Sequence, residues 1–255
     1  MNLSFLNNIV DKIYIIVIPK RYKYVKNIIK KYNLNVEIIN AVLKKNIPYN
    51  KKNKKLNNVL TDYKGAVACY LSHIKTLKLF IKNNYNNCLI LEDDFILSNH
   101  FDNINKLKQL NNNLNLIINN NNWDLIYLGG CWNFCNFSKK INNNFYKTNF
   151  VLCTHAYIIN KQSANKFINN FNKFYIKKPI DREYNTFFNN KIIAQPNLFV
   201  QNDSESNIFL SNFTSFNFLN SSPECSYKLL YDKHIILLII LIILIIFIIL
   251  YLNPN

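Results

Sequence analysis

The sequence predicts an α/β domain built on a mostly parallel sheet flanked by helices. Short apolar runs of strand length alternate with stretches whose apolar residues recur every three or four positions. The run 88–91 is apolar throughout, as in strands buried on both faces. It ends in three adjacent acids, Glu92-Asp93-Asp94, in a chain with 14 Asp and Glu against 31 Lys and Arg. Carboxylates at the carboxyl end of such a strand stand where open α/β sheets bind their ligands.

The elements follow in order. Residues 13–18 are an apolar run stopped by Pro19, and a basic helical stretch covers 21–32. A second strand is predicted over 36–42, then a polar, lysine-rich loop over 44–58. From Gly65 the pattern turns helical, with Val67, Leu71, Ile74, Leu77 and Ile81 on one stripe. The acid-tipped strand comes next. Residues 103–122 hold a candidate helix whose Asn runs look like a low-complexity insertion. A strand over 124–128 is expected to stop at Gly129-Gly130, and a further strand over 150–159 leads into a helix over 162–174. Residues 192–200, interrupted by Pro196, are expected to form a late edge strand.

These elements place one domain over 1–208 and a Ser/Asn-rich linker over 209–233. An apolar segment follows over 234–252, long enough for a membrane-spanning tail anchor. The run 13–18 is too short for a leader and ends at Pro19. Lys228 and Lys233 precede the tail and no Lys or Arg follows it, which favours a cytoplasmic domain on a single-pass membrane anchor.

The net charge of +17 looks like a nucleic-acid signal, but composition explains it otherwise. The chain holds 49 Asn and 29 Lys but 2 Arg, 3 Gly and 6 Ala, the mark of A/T-rich codons. A base-reading surface would need Arg, so no nucleic-acid partner is expected. Of six cysteines, Cys69 and Cys88 fit apolar patterns and read as core residues. Cys131, Cys135, Cys153 and His155 could ligate zinc, but their spacing matches no standard ribbon or finger. In cytosol these thiols are expected to be reduced.

In an extended chain, residues two apart point to one side, so Glu92 and Asp94 face together and Asp93 faces away. Two oxygen ligands aimed at one point suit Mn²⁺ or Mg²⁺ held jointly with a substrate phosphate. The alternative is a solvated strand-end turn that happens to be acidic.

Several segments, in this order, resemble glycosyltransferase family 25, the lipopolysaccharide and collagen galactosyltransferase group. They are Lys64-Gly65-Ala66-Val67-Ala68-Cys69-Tyr70-Leu71-Ser72-His73, Leu89-Ile90-Leu91-Glu92-Asp93-Asp94 and Trp123-Asp124-Leu125-Ile126-Tyr127-Leu128-Gly129. Thr154-His155-Ala156-Tyr157-Ile158-Ile159, Ala164 and Pro179-Ile180-Asp181 fit the second half, and Pro196, Gln201, Ser206 and Ile208 the last strand and loop. The resemblance implies a GT-A-like (Rossmann-like) fold and transfer of a hexose, galactose or glucose, from a UDP-sugar with inversion. The acceptor would be a hydroxyl of a glycan, a lipid-linked glycan or a protein.

A departing diphosphate gathers negative charge, so a bridging divalent cation lowers the barrier. Asp94, with Glu92 or Asp93, is expected to hold that cation, and the other acid to contact the ribose or the donor sugar. Direct displacement needs a general base. The place of Asp181 in Pro179-Ile180-Asp181 implies that role, although a helix-start acid would look the same. Gly65 allows close backbone approach at a helix start, where a donor phosphate or ribose could lie, or equally makes an ordinary loop-to-helix turn. By the resemblance, Ser72, His73, Gln201 and Ser206 line the donor site; His73 could equally be a structural histidine. His155 stands at a variable position of the pattern, and Trp123 and Tyr157 read as core aromatics. The first strand, Ile16-Val17-Ile18-Pro19-Lys20-Arg21, lacks the family's Asn and puts Pro19 where a nucleotide contact is expected. The competing class is a membrane-anchored binding or scaffold protein on a catalytically degenerate transferase fold.

Overall fold

The computed structural model describes residues 2–47, 63–131, 138–171 and 176–201. Its centre is an eight-stranded sheet in the order β2-β1-β3-β8-β5-β9-β7-β6. The strands are β1 (Lys12–Val17), β2 (Val36–Asn40), β3 (Asn87–Glu92), β5 (Leu125–Cys131), β6 (Lys139–Lys140), β7 (Phe145–Thr148), β8 (Leu152–Asn160) and β9 (Lys191–Ala194). β1 pairs in parallel with β2 and β3, and β5 with β9. β8 runs against both β3 and β5, β7 against β9, and β6 against β7. Six of the eight strands therefore point one way, and β7 and β8 are reversed. A separate ribbon joins β4 (Phe95–Leu97) antiparallel to β10 (Phe199–Gln201).

Alternation along the strands feeds two cores. In β3, Leu89 and Leu91 enter one, and Cys88 and Ile90 the other. The first lies under α1 (Leu6–Ile9), α2 (Tyr22–Tyr32) and α4 (Ile104–Asn119). The second lies under α3 (Tyr63–Lys82), α5 (Lys161–Asn169) and α6 (Ile180–Phe187).

The structure departs from expectation at four places. Residues 103–122 do hold the candidate helix, and it packs as no low-complexity stretch would: Leu107, Leu110, Leu114 and Ile117 of α4 are buried at helical spacing, and the asparagines lie between them. Asn103 caps this helix by accepting from Asn105 N–H at 2.8 Å. Gly129-Gly130 do not stop β5, which continues to Cys131 with irregular register against β8. β9 is interior, between β5 and β7, rather than an edge strand. Pro196 lies beyond its last residue, so the ladder loses no donor. Finally, the predicted strand 192–200 is two strands in two sheets.

Among the described residues no helix is long and apolar enough to cross a membrane; the segment 234–252 and the linker lie outside them.

The chain has three glycines, and two of them carry β5 past its neighbours. A Cβ on Gly129 would run into the His155 ring and stand 2.5 Å from Phe199 O; one on Gly130 would stand 2.5 Å from Val151 Cγ1. Gly129→Ala is expected to cost about 1–3 kcal/mol as an overpacking substitution. Urea denaturation, read as a lower midpoint at unchanged slope, measures it.

Candidate functional site

The carboxyl ends of β1, β3 and β5 meet the amino end of β8, because β8 is reversed. The start of α6 and the end of β10 close on the same edge through hydrogen bonds to Cys153 and Asp94. Four acids gather there: Glu92, Asp93, Asp94 and Asp181.

Asp93 faces back toward β1. Its Oδ2 accepts from Ile18 N–H at 2.7 Å and its Oδ1 from Arg21 Nη1 at 2.5 Å. Pro19 begins the 3₁₀ turn Pro19–Arg21, where its missing N–H costs nothing, and this turn delivers Arg21 to the acid. Burial pushes the Asp93 carboxyl up, and the Ile18 N–H and Arg21 offset part of that rise.

Glu92 faces α3 and β8. Its Oε1 accepts from Thr154 Oγ1 at 2.8 Å and lies 3.3 Å from His73 Nε2. His73 Nδ1 is 2.9 Å from the Tyr157 hydroxyl, which is 3.0 Å from the Tyr184 hydroxyl. With Nε2–H donating to the carboxylate, Nδ1 accepts from Tyr157, and Tyr157 from Tyr184. This buried chain joins β3, α3, β8 and α6. Burial alone would raise the Glu92 carboxyl; the bonds from His73 and Thr154 outweigh it and hold the group below its ordinary range.

Asp94 is left least satisfied. Its Oδ2 lies 3.4 Å from Gln201 Nε2 and 3.7 Å from Arg21 Nη1, while Oδ1 is buried without a hydrogen-bond partner among the described residues. Burial, then the charges of Glu92 and Asp93, push this carboxyl up to about 7 despite Arg21. A buried carboxylate oxygen with a free lone pair, crowded by like charge, is chemically suited to a hard divalent cation. Asp94 Oδ1 fits that description, while Glu92 Oε1 is already engaged by Thr154 and His73.

Asp181 sits in the first turn of α6. Its Oδ2 accepts from Cys153 N–H at 3.2 Å and its Oδ1 from Arg182 N–H at 2.7 Å. Burial raises its carboxyl, and these two N–H groups pull part of the way back. α6 is fixed beside β8 by Asn185, whose Oδ1 accepts from Val151 N–H at 2.9 Å and whose Nδ2 donates to Val151 O at 2.5 Å. Lys191 Nζ caps the other end, donating to Asn185 O and Phe188 O.

The remaining predicted residues divide. Gly65 is buried in the first turn of α3, with no left-handed φ. Ser72 works within the fold, donating to Ala68 O at 2.7 Å and accepting from Val42 N–H at 2.8 Å. Gln201 reaches Asp94, and Ser206 lies outside the described residues. Cys69, expected in the core, is only half-buried; its Sγ lies within 4.8 Å of ligand atoms of His73 and Glu92. Burial, then Glu92 and Asp181, raise its thiol.

Cys131 and Cys153, expected as free thiols, are joined in a disulfide. They cluster with His155, but bridged sulfurs offer zinc no thiolates, and Cys135 lies outside the described residues. His155 is fully buried, Nε2 facing Phe199 O at 3.2 Å and Nδ1 unpartnered; burial lowers its pKa.

Arg21, Thr154 and Tyr184 are contributors to which sequence reasoning gave no role, and Cys153, weighed there as a zinc ligand, contributes through its backbone N–H. Arg21 had a signal, being one of two arginines in a lysine-rich chain.

No curated protein matches this chain. Among solved structures, the crystal structure of A197 from STIV is similar at 9% identity and a TM-score of 0.39, over 75% of this chain and 85% of that one. The model of glycosyltransferase family 25 (LPS biosynthesis protein) matches residues 10–183. That span takes in every strand from β1 to β8 and Glu92, Asp93, Asp94 and Asp181, and the chain belongs to glycosyltransferase family 25.

Proposed function

We propose that this glycosyltransferase transfers a hexose, galactose or glucose, from a UDP-sugar to a hydroxyl of a glycan, lipid-linked glycan or protein, with inversion. Its sheet is taken as GT-A-like, with the donor diphosphate at the acid-tipped end of β3. Mn²⁺ or Mg²⁺ serves as cofactor, held by Asp94 with Glu92. The observation that carries this reading is the buried Asp94 Oδ1, unpartnered among the described residues, at the sheet edge that also holds Glu92 and Asp181.

The bound cation would supply Lewis-acid neutralisation of the departing diphosphate. The chain's own groups do the rest. Asp181 takes the proton of the acceptor hydroxyl as its oxygen bonds to the anomeric carbon. The bond from that carbon to the phosphate oxygen breaks, and its electron pair leaves with the diphosphate. A base raised by burial and still held by two N–H groups suits this step. Arg21 and the Ile18 N–H keep Asp93 in place, so that residue anchors the loop that carries Asp94. His73 and Thr154 fix Glu92 in its charged form. Gln201 reaches Asp94 from the end of β10. Gly65 and Ser206 are proposed on the donor side by the family resemblance alone, while Ser72 braces the fold beside it.

The tail 234–252 is proposed as a membrane tether, which suits an acceptor made at a membrane. The Cys131–Cys153 bridge weighs toward an oxidising compartment for the domain, against the cytoplasmic side suggested by Lys228 and Lys233.

A panel of UDP-sugars assayed for UDP release, with Mn²⁺ and with chelator, tests the reading. Turnover of one hexose donor that stops with chelator is the expected result. Binding of UDP without turnover of any donor would instead mark the scaffold protein. In the same assay Asp181→Asn should lower turnover by about 10²–10⁴-fold while UDP still binds.

The raised Asp94 carboxyl makes a thermodynamic prediction as well. Between the ordinary 3.8 and about 7, the folded metal-free protein holds a proton that the unfolded chain has lost. This contribution therefore makes stability fall as pH rises through that window. Mn²⁺ competes with the proton, so its stabilisation should grow over the same range. Thermal midpoints with chelator and with Mn²⁺ measure both trends. Asp94→Asn should flatten them and abolish metal-dependent turnover; an unchanged Mn²⁺ effect in that variant would remove the metal assignment.

A further inference from the structure

Cys153 adopts a φ of 65°, in the left-handed region that non-glycine residues rarely enter, yet it lies within β8. A residue persists in such a conformation only when its surroundings over-determine it. Two constraints act here. The disulfide to Cys131 ties residue 153 to the adjacent strand, next to the Cys131–Leu152 pairing where the register is already irregular. The backbone N–H of Cys153 is engaged by Asp181 Oδ2 at 3.2 Å, so the unusual φ and the acid contact belong to one peptide unit. On its other side, Cys131 Sγ packs 3.8 Å from Gln201 Oε1, and Gln201 Nε2 reaches Asp94. A bridged sulfur has no proton to donate, so this is a packing contact. The disulfide thus stands between the two acids that the proposed reaction uses most directly.

We propose that Cys153 is a positioning residue for Asp181: the Cys131–Cys153 disulfide holds residue 153 left-handed, and that conformation keeps its N–H on the carboxylate. The proposal rests on Asp181 as the general base. Neither cysteine touches substrate; both act through Asp181 and, at the Gln201 contact, on the wall behind Asp94.

The experiment uses the full chain and the UDP-sugar found active in the donor panel. Cys131→Ser opens the bridge without changing residue 153. Cys153→Ala removes the bridge and leaves a residue that prefers extended backbone. Cys153→Gly also removes it, but glycine enters the left-handed region freely and keeps the N–H. Cys131→Ser and Cys153→Ala are expected to lower kcat about tenfold, the scale of one hydrogen bond to a charged group. Donor KM should change little. The acidic limb of the kcat profile should move to higher pH, since a carboxylate that loses a donor holds its proton more tightly. Cys153→Gly should recover most of the loss. Wild-type kcat and pH profile in Cys131→Ser and Cys153→Ala would overturn the proposal. So would a glycine variant no better than alanine, or lower melting temperatures in all three with the pH limb unmoved. Asp181→Asn separates the two levels: if it turns over normally, the base assignment fails, whatever the cysteine variants do.

Discussion

Four carboxylates at one sheet edge, mostly withdrawn from water, set the terms for the rest of the structure. A buried carboxylate is tolerated when hydrogen bonds or an opposite charge replace its lost hydration. Each acid here meets that demand with a different element. Asp93 takes the Ile18 N–H and Arg21 from the end of β1, and Glu92 takes Thr154 from β8 and His73 from α3. Asp181 takes N–H groups from β8 and from its own helix. Among the described residues, Asp94 has a distant Arg21 and a long contact from Gln201, with Oδ1 unpartnered. The protein therefore solvates three acids internally and leaves the fourth open. A site meant only to be stable would not be built so, because the unmet oxygen is where a ligand's charge lowers the energy most.

This explains the altered first strand. Read as sequence, Pro19 removes a polar contact from a position where the family pattern supplies one. In the structure Pro19 opens the turn that sets Arg21 against Asp93, while the preceding residue gives its N–H to the same carboxylate. The strand end is committed to supporting the acidic loop, and one of the chain's two arginines is spent there.

Much of the fold was legible because burial imposes periodicity. β1, β3 and α3 follow directly from apolar runs and helical spacing. Errors arose where a local rule met a tertiary exception. The asparagines of α4 looked structureless, but the leucines among them pack on the sheet. Gly129-Gly130 looked like a stop, yet they are the thin stretch that lets His155 and Phe199 approach β5. The acid triplet was visible by charge contrast alone. Its division of labour was not, since that depends on which neighbouring element reaches each oxygen. Tyr157 shows the limit well: an apolar neighbourhood made it a core aromatic, which it is, while its hydroxyl belongs to the chain behind His73.

The reversed strand β8 turns these parts into one site. In a purely parallel sheet, every strand would offer the crevice only its carboxyl-terminal residues. β8 instead enters the crevice at its beginning, so its first residues lie alongside the acids. Leu91 pairs with Ala156 at the end of that ladder, and Thr154, two residues before Ala156, reaches the Glu92 carboxylate. Two residues at this start of β8 supply the Thr154 hydroxyl on Glu92, the Cys153 N–H on Asp181 and one half of the disulfide. Side chains alternate along a strand, so a slip of one residue would turn Thr154 away from Glu92 and send Tyr157 out of line with His73. The pairing of Leu89, Ile90 and Leu91 with Ile158, Tyr157 and Ala156, all buried, fixes that register through hydrophobic packing. The apolar core of the sheet thereby determines the geometry of its polar edge, and this places a chemically demanding site at the end of a featureless run of Leu and Ile.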